Sequence, residues 1–175
     1  LLGPRYALVD PAYAAAPERR TRASVERVLV TLGGGSHPAA LRAVEADRAT
    51  RVLVLTGAGR GFCAGSDVGG LEERLGASVE WQRERLERFG REVVLALWGL
   101  GVPTLAAING PASGGGLSLA LACDIRLAAA DAVIGFGYSA VGLIPDLGAT
   151  YFLPRTIGLS RACRLLWTNA RLTAA

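Results

Sequence analysis

Apolar residues follow two rhythms along this chain. Short unbroken runs rich in Val, Leu and Ile recur in "VERVLVTLGGGSHP", "RVLVLTG" and "PTLAAING", each stopped by glycine. Runs of that length predict buried strands, the first over Val28 to Leu32. Between them the spacing lengthens to three and four. "PAALRAVEADRAT" carries Ala40, Leu41, Val44 and Arg48 at helical steps. Residues 79–99 carry Leu86, Phe89, Val93 and Leu97, which predicts one long amphipathic helix ended by Gly99, Gly101 and Pro103. "PASGGGLSLALACD" reads as a glycine turn opening an apolar helix, and "IRLAAADAVIGF" as another short strand pair. "GYSAVGLIPDLGA" reads as a loop leading into a last helical region. Strands alternating with helices predict an α/β fold. Residues 1–27, with Pro4, Pro11, Pro17 and the basic cluster "ERRTR", follow neither rhythm.

Composition narrows the function classes. A chain of 175 residues, 51% hydrophobic and 19% charged, can build one globular domain with a real core. The formal charge of +4 is modest and scattered. The densest basic stretch, "WQRERLERFGRE", alternates with glutamates as a solvated helix face does, which argues against nucleic acid as partner. A polyanionic small molecule stays compatible. Cys63, Cys123 and Cys163 are an odd number in unrelated contexts, so no disulfide framework is implied. A single histidine, His37, excludes most His-based metal sites and any Ser-His-Asp triad. There is no run of 18 apolar residues and no signal-peptide layout, so a cytoplasmic protein without a membrane partner is expected. The absence of methionine, even at position 1, points to a processed chain or a fragment.

Two glycine-rich turns hold the candidate chemistry. "GRGFCAGSDVGGL", residues 59–71, sets Gly59, Gly61 and Gly65 around Cys63, Ser66 and Asp67, directly after a predicted strand. The other is the "GGG" of residues 114–116, which opens a helix. Glycine is unfavourable in ordered backbone unless φ is positive or something approaches closely. A helix N-terminus with bare glycine backbone presents free N–H groups and the positive end of the dipole. Two such turns facing each other could hold one oxygen as it becomes negative. The alternative is that the glycines only permit tight strand–helix packing.

"VLVLTGAGRGFCAGSD", then "PTLAAINGPASGGGLSLALACDIRLAAADAVIGF", then "GLIPDLGATYFLPRTIG" resemble, in order and spacing, the crotonase superfamily of enoyl-CoA hydratases and isomerases. The resemblance runs from about Ala43 to the C-terminus. It implies a crotonase-like (ClpP/crotonase) ββα-spiral core over 43–175 that binds an acyl-CoA thioester. By the same resemblance the backbone N–H groups of Ser66 and Gly115 form an oxyanion hole for the enolate. Losing one such donor costs about 2.7–4 kcal/mol of barrier. Phe62, Ala64, Asp67 and Val68 would line the adenine and pantetheine path, with Gly59, Gly61 and Gly65 letting the backbone approach the ligand. Gly114, Tyr138 and Leu143 complete the implied substrate contacts. No cofactor is implied beyond the coenzyme A of the substrate, and no metal. The expected assembly is a homo-trimer or hexamer.

Acid and base decide among the chemistries of that superfamily. Its hydratases carry two glutamates, one two residues after "GGG" and one twenty residues further on; here those positions are Ser118 and Tyr138. Neither supplies a carboxylate to activate water. Asp146, in the apolar loop "GLIPDLGA", remains, and double-bond isomerases of the superfamily carry a single acid at this position. One carboxylate that removes a proton at one carbon and returns it at another suffices for a double-bond shift. As a bland alternative, Asp146 is a turn residue or helix cap after Pro145. In related aryl-CoA dehalogenases an Asp at the matching position attacks the ring, a chemistry for which Phe136, Tyr138 and Tyr151 could furnish aromatic walls. A non-catalytic binding or scaffold role is a further alternative. Asp124 reads as a structural residue bonded to backbone, Cys63 and Cys123 as packed small residues, and His37 as a loop residue. Arg60 either meets a CoA phosphate or is solvated.

Both ends depart from the superfamily pattern. Residues 1–42 are an atypical N-terminal segment; over 1–38, with its "GPRYAL" stretch, it resembles part of the UDP-sugar hydrolases of nine-carbon sugar-acid biosynthesis. That stretch is too short to form the domain, so no sugar-nucleotide activity follows. The chain stops at "NARLTAA", where superfamily members continue for several helices that complete the CoA pocket and the trimer, so the core is expected to be truncated.

Overall fold

A computed structural model of the chain describes residues 29–31, 37–67, 69–70, 72 and 76–173. Most of residues 1–38, with their sugar-hydrolase resemblance, lie outside that set. The valine- and leucine-rich runs are strands: β1 Leu29–Thr31, β2 Leu53–Gly57 and β3 Thr104–Ile108. Together with β5, Ile125–Ala128, they form a parallel four-stranded sheet in the order β1-β2-β3-β5. A second sheet joins β4, Ala112–Ser113, in parallel to β6, Val133–Gly135, and β6 antiparallel to β7, Leu172–Thr173. Cys63 adds a parallel bridge to Ala112.

The chain therefore gives one extended piece to each sheet and then a helix, and repeats. After β2 comes the Cys63 bridge and then helix α2, Val79–Phe89; after β3 comes β4 and helix α3, Gly115–Ala122. After β5 comes β6 and helix α4, Ala149–Ile157. This is the ββα spiral that the resemblance implies. It also corrects the expected strand pair in "IRLAAADAVIGF": β5 bonds to β3 and β6 to β4, in different sheets. A local pattern marks a strand but does not name its partner.

Helix α1, His37–Ala46, buries Leu41 and packs Val44 against the core. The predicted single helix over 79–99 is in fact three pieces: α2, a π-helical segment Gly90–Leu95, and a last turn Ala96–Trp98. The adjacent Val93 and Val94 of the π segment both enter the core. Upstream of it the apolar stripe fails: α2 has no buried residue and Leu86 is 42% exposed. The core itself lies between the first sheet and the helices, through Leu53, Leu55, Ala106 and Ile108 against Val93, Leu97, Leu117 and Leu121. Each such buried aliphatic side chain contributes about 1.5–3 kcal/mol. The last helical region is split by Gly158 into α4 and α5, Leu159–Thr168.

Candidate active site

The two glycine turns lie beyond the carboxyl ends of neighbouring parallel strands β2 and β3, the second after β4, at the edge where open α/β sheets bind ligands. Asn109 clamps them together. Its Oδ1 accepts from the Gly57 amide at 3.0 Å, while its Nδ2 donates to the Gly59 carbonyl at 3.0 Å. Beyond it the Ser113 amide donates to the Cys63 carbonyl at 2.9 Å, and the Phe62 amide to the Pro111 carbonyl at 3.0 Å. Gly65 has φ +87, and a side chain there would stand 2.9 Å from the Ser113 carbonyl and 3.2 Å from the Gly115 amide. Gly114 adopts φ 52, ψ −129, a conformation that side chains avoid, and this turns the chain into α3. Gly65 thus answers first to the protein's own backbone. Nothing lies within 4 Å of a side chain placed at Gly59, and Gly61 meets only the Pro111 carbonyl, at 3.6 Å.

Against these turns lies a cleft of about 730 Å³, within the size range of small-molecule sites. It gathers Ala64, Ser66, Gly114, Gly115, Tyr138, Leu143 and Asp146, all singled out in the sequence. Among the described residues neither the Ser66 nor the Gly115 amide donates to a protein acceptor. Two predicted contacts do not line the cleft. Phe62 is 5% exposed and belongs to the core, drawn in by its apolar ring. Asp67 is exposed, and its Oδ1 accepts from the Gly69 amide at 2.9 Å in a local turn. Val68 lies outside the described residues.

Asp146 is the one carboxylate among the described residues lining the cleft. It is half-buried, and its carbonyl accepts the Ala149 amide at the start of α4. Leu147, next to it, has φ 50 and sits over Gly115, a strained backbone of the kind that clusters at functional sites. Tyr138 Oη donates to Asp146 Oδ1 at 2.7 Å. Ser118 Oγ lies 3.4 Å from Tyr138 Oη and 3.4 Å from the Asp146 carbonyl. Ser118 is 0% and Tyr138 6% exposed. Burial pushes the Tyr138 phenol up from its ordinary value, and the neighbouring Asp146 carboxylate adds to this, so the phenol stays protonated. Ser118, Tyr138 and Asp146 therefore touch one another.

The opposite wall was not legible in the sequence. Trp81, Gln82, Arg85 and Leu86 of α2 line the cleft, as do Asn169 and Arg171 beyond α5. The one available signal was a tryptophan in the first turn of an otherwise hydrophilic helix. Asn109 was also missed, although a polar residue ending a buried strand marks such a clamp. Phe136 lines the cleft, whereas Tyr151 packs on Trp98 and Phe152 beneath Arg155, away from it. Arg60 is exposed and is not a lining residue. Asp124 has the structural role read for it: its Oδ2 accepts from the Thr104 amide at 2.7 Å and the Thr104 hydroxyl at 2.9 Å. Among the described residues no helix is long and apolar enough to cross a membrane.

Comparison with known proteins places this geometry. The chain is 43% identical over 141 residues to 1,2-epoxyphenylacetyl-CoA isomerase of Escherichia coli K12, covering 77% of this chain and 51% of that protein. A crystal structure of an enoyl-CoA hydratase from Bacillus anthracis superposes with a TM-score of 0.70 at 41% identity, over 78% of this chain and 52% of that one. Another, from Polaromonas sp. JS666, gives 0.74 at 36% identity, over 79% and 53%. The chain thus spans about half the length of the relatives it matches and shares their crotonase fold. Since the family model for enoyl-CoA hydratase/isomerase matches residues 37–175 as well, through both glycine turns and the Asp146 loop, the chain belongs to that family.

Proposed function

We propose that this chain carries the site of an acyl-CoA isomerase that shifts a double bond through an enolate. The observation that carries this reading is the acid inventory of the cleft among the described residues: one carboxylate, Asp146, beside Ser118 and Tyr138 where two glutamates would serve a hydratase. Asp146 takes a proton from the carbon next to the thioester or from the far end of the allylic system. The electron pair moves into the carbonyl, where the Ser66 and Gly115 amides meet the negative oxygen. Asp146 then returns the proton to the other carbon. Its protonation state at the end equals that at the start, so one carboxylate completes the cycle. The name of the E. coli relative, an acyl-CoA isomerase, agrees with this reading. Coenzyme A enters as part of the substrate.

The test is deuterium incorporation at the α-carbon of a 3-enoyl-CoA in heavy water, wild type beside Asp146→Asn. The expected result is incorporation and turnover by the wild type, with loss of about 10²–10⁴-fold in the variant. Equal incorporation by both proteins sinks the assignment of Asp146. Tight CoA-thioester binding with neither turnover nor incorporation by either favours a binding protein.

A further inference from the structure

Tyr138 does more than occupy the place of a missing glutamate. Its ring is buried and stacks on Phe136, with centroids 6.3 Å apart and planes at 21°. Its carbonyl accepts the Val141 amide at 3.1 Å and the Leu143 amide at 2.9 Å, so ring and backbone are both held. The phenol has one hydrogen, and that hydrogen goes to Asp146 Oδ1 at 2.7 Å. An ionised carboxylate only accepts. Among the described residues, Oδ2 of Asp146 has no hydrogen-bond donor. The two oxygens of the carboxylate are therefore inequivalent: one is anchored, the other is left without a protein donor in a residue that lines the cleft.

We propose that Tyr138 is a positioning residue for the proton transfer, holding Oδ1 of Asp146 so that Oδ2 takes the proton from substrate and returns it. The inference rests on the isomerase reading above. In the forward step the substrate C–H bond breaks, its electron pair enters the thioester enolate and the proton bonds to Oδ2. In the return step that O–H bond breaks and a C–H bond forms at the other allylic carbon, with no net change in the protein. Tyr138 keeps its own hydrogen throughout. The anchor holds the protonated carboxyl toward the enolate between the two steps and so favours return over exchange with solvent, and much of the proton removed is the proton returned.

The experiment is isomerisation of a short-chain 3-enoyl-CoA in heavy water by the full chain, its Tyr138→Phe variant and its Asp146→Asn variant. Three quantities are read: kcat, KM, and the fraction of product carrying solvent deuterium. For Tyr138→Phe the expected outcome is a kcat about tenfold to a hundredfold lower, little change in KM, and a higher deuterium fraction. The deuterium fraction is a ratio per turnover and does not depend on how much of the variant folds. An unchanged deuterium fraction overturns the inference, whether kcat is unchanged or falls together with the melting temperature. Turnover by Asp146→Asn at the wild-type rate, or none by the wild type, removes the isomerase reading and this inference with it. An inactive Asp146→Asn beside a wild-type-like Tyr138→Phe removes the inference alone.

Discussion

Helices α3 and α2 face the same cleft and are built in opposite ways. Every residue of α3 from Gly116 to Ala122 is buried, with α4, β3, β4 and the π segment packed around it. A helix covered on all sides has no amphipathic stripe. Its first turn carries the Gly115 amide and Ser118, and its geometry is set by everything that touches it. Helix α2 has no buried residue and is held by its Ser78 cap and its own turns, with Arg83 and Glu87 paired at 2.7 Å on its exposed face. It gives the cleft Trp81, Gln82, Arg85 and Leu86. The difference teaches a division of labour: the Gly115 amide and Ser118 are set by packing from every side, while α2 gives the cleft a wall that the core does not fix.

That contrast can be broken from either side. The largest effect short of removing Asp146 should come from Gly116→Ala. Its new methyl would stand 2.4 Å from the Cys63 carbonyl and 2.7 Å from Cys63 Sγ, forcing the two turns apart. A loss of about 1–3 kcal/mol in chemical denaturation is expected, together with a fall in kcat of about 10²-fold as the Ser66 and Gly115 amides separate. A fully active, fully stable Gly116→Ala would show that the packing of the turns does not set the donors. Next, Trp81→Ala on the exposed wall should raise KM about fivefold, equivalent to about 1 kcal/mol of lost apolar contact. Steady-state kinetics should show kcat changing less than KM; the reverse would move α2 into the chemistry.

The smallest effect concerns Cys123 at the end of α3. Burial pushes its thiol up to about 12 from an ordinary value of 9.0. The folded state thus favours the neutral thiol, a contribution fully present below about pH 9 and lost as pH rises toward 12. Alkylation of the native protein at pH 8, read by mass spectrometry, should leave Cys123 unmodified until denaturant is added. Ready modification in the native state would mean that α3 opens far more easily than its burial indicates.

Legibility followed burial. Strands β2 and β3 and helix α3 are unbroken apolar stretches, and each formed where its pattern indicated. The α2 region misled because a π turn at Gly90 changes the number of residues per turn, so Leu86 falls off the stripe that Val93 and Leu97 occupy, while Phe89 still packs against the core. Ser66, Gly115, Tyr138 and Asp146 were readable as a set, and they do converge. Phe62 was not, because motif position says a residue is near the ligand but not which way its side chain turns. Asn109 escaped for a related reason: its two-sided hydrogen bonding exists only once β2 and β3 are neighbours.

By itself the sequence determined the α/β alternation, the two glycine turns, the missing pair of glutamates and the single acid left in their place. These are matters of residue type and local spacing, which short-range sterics and hydrophobic burial translate directly. Only the tertiary structure decided that β5 and β6 part to different sheets, that Gly65 and Gly116 are pressed by backbone, and that Tyr138 Oη meets Asp146 Oδ1. Those outcomes depend on contacts between segments far apart in the chain, or on the direction of one side chain. Chain connectivity leaves both open until the core closes.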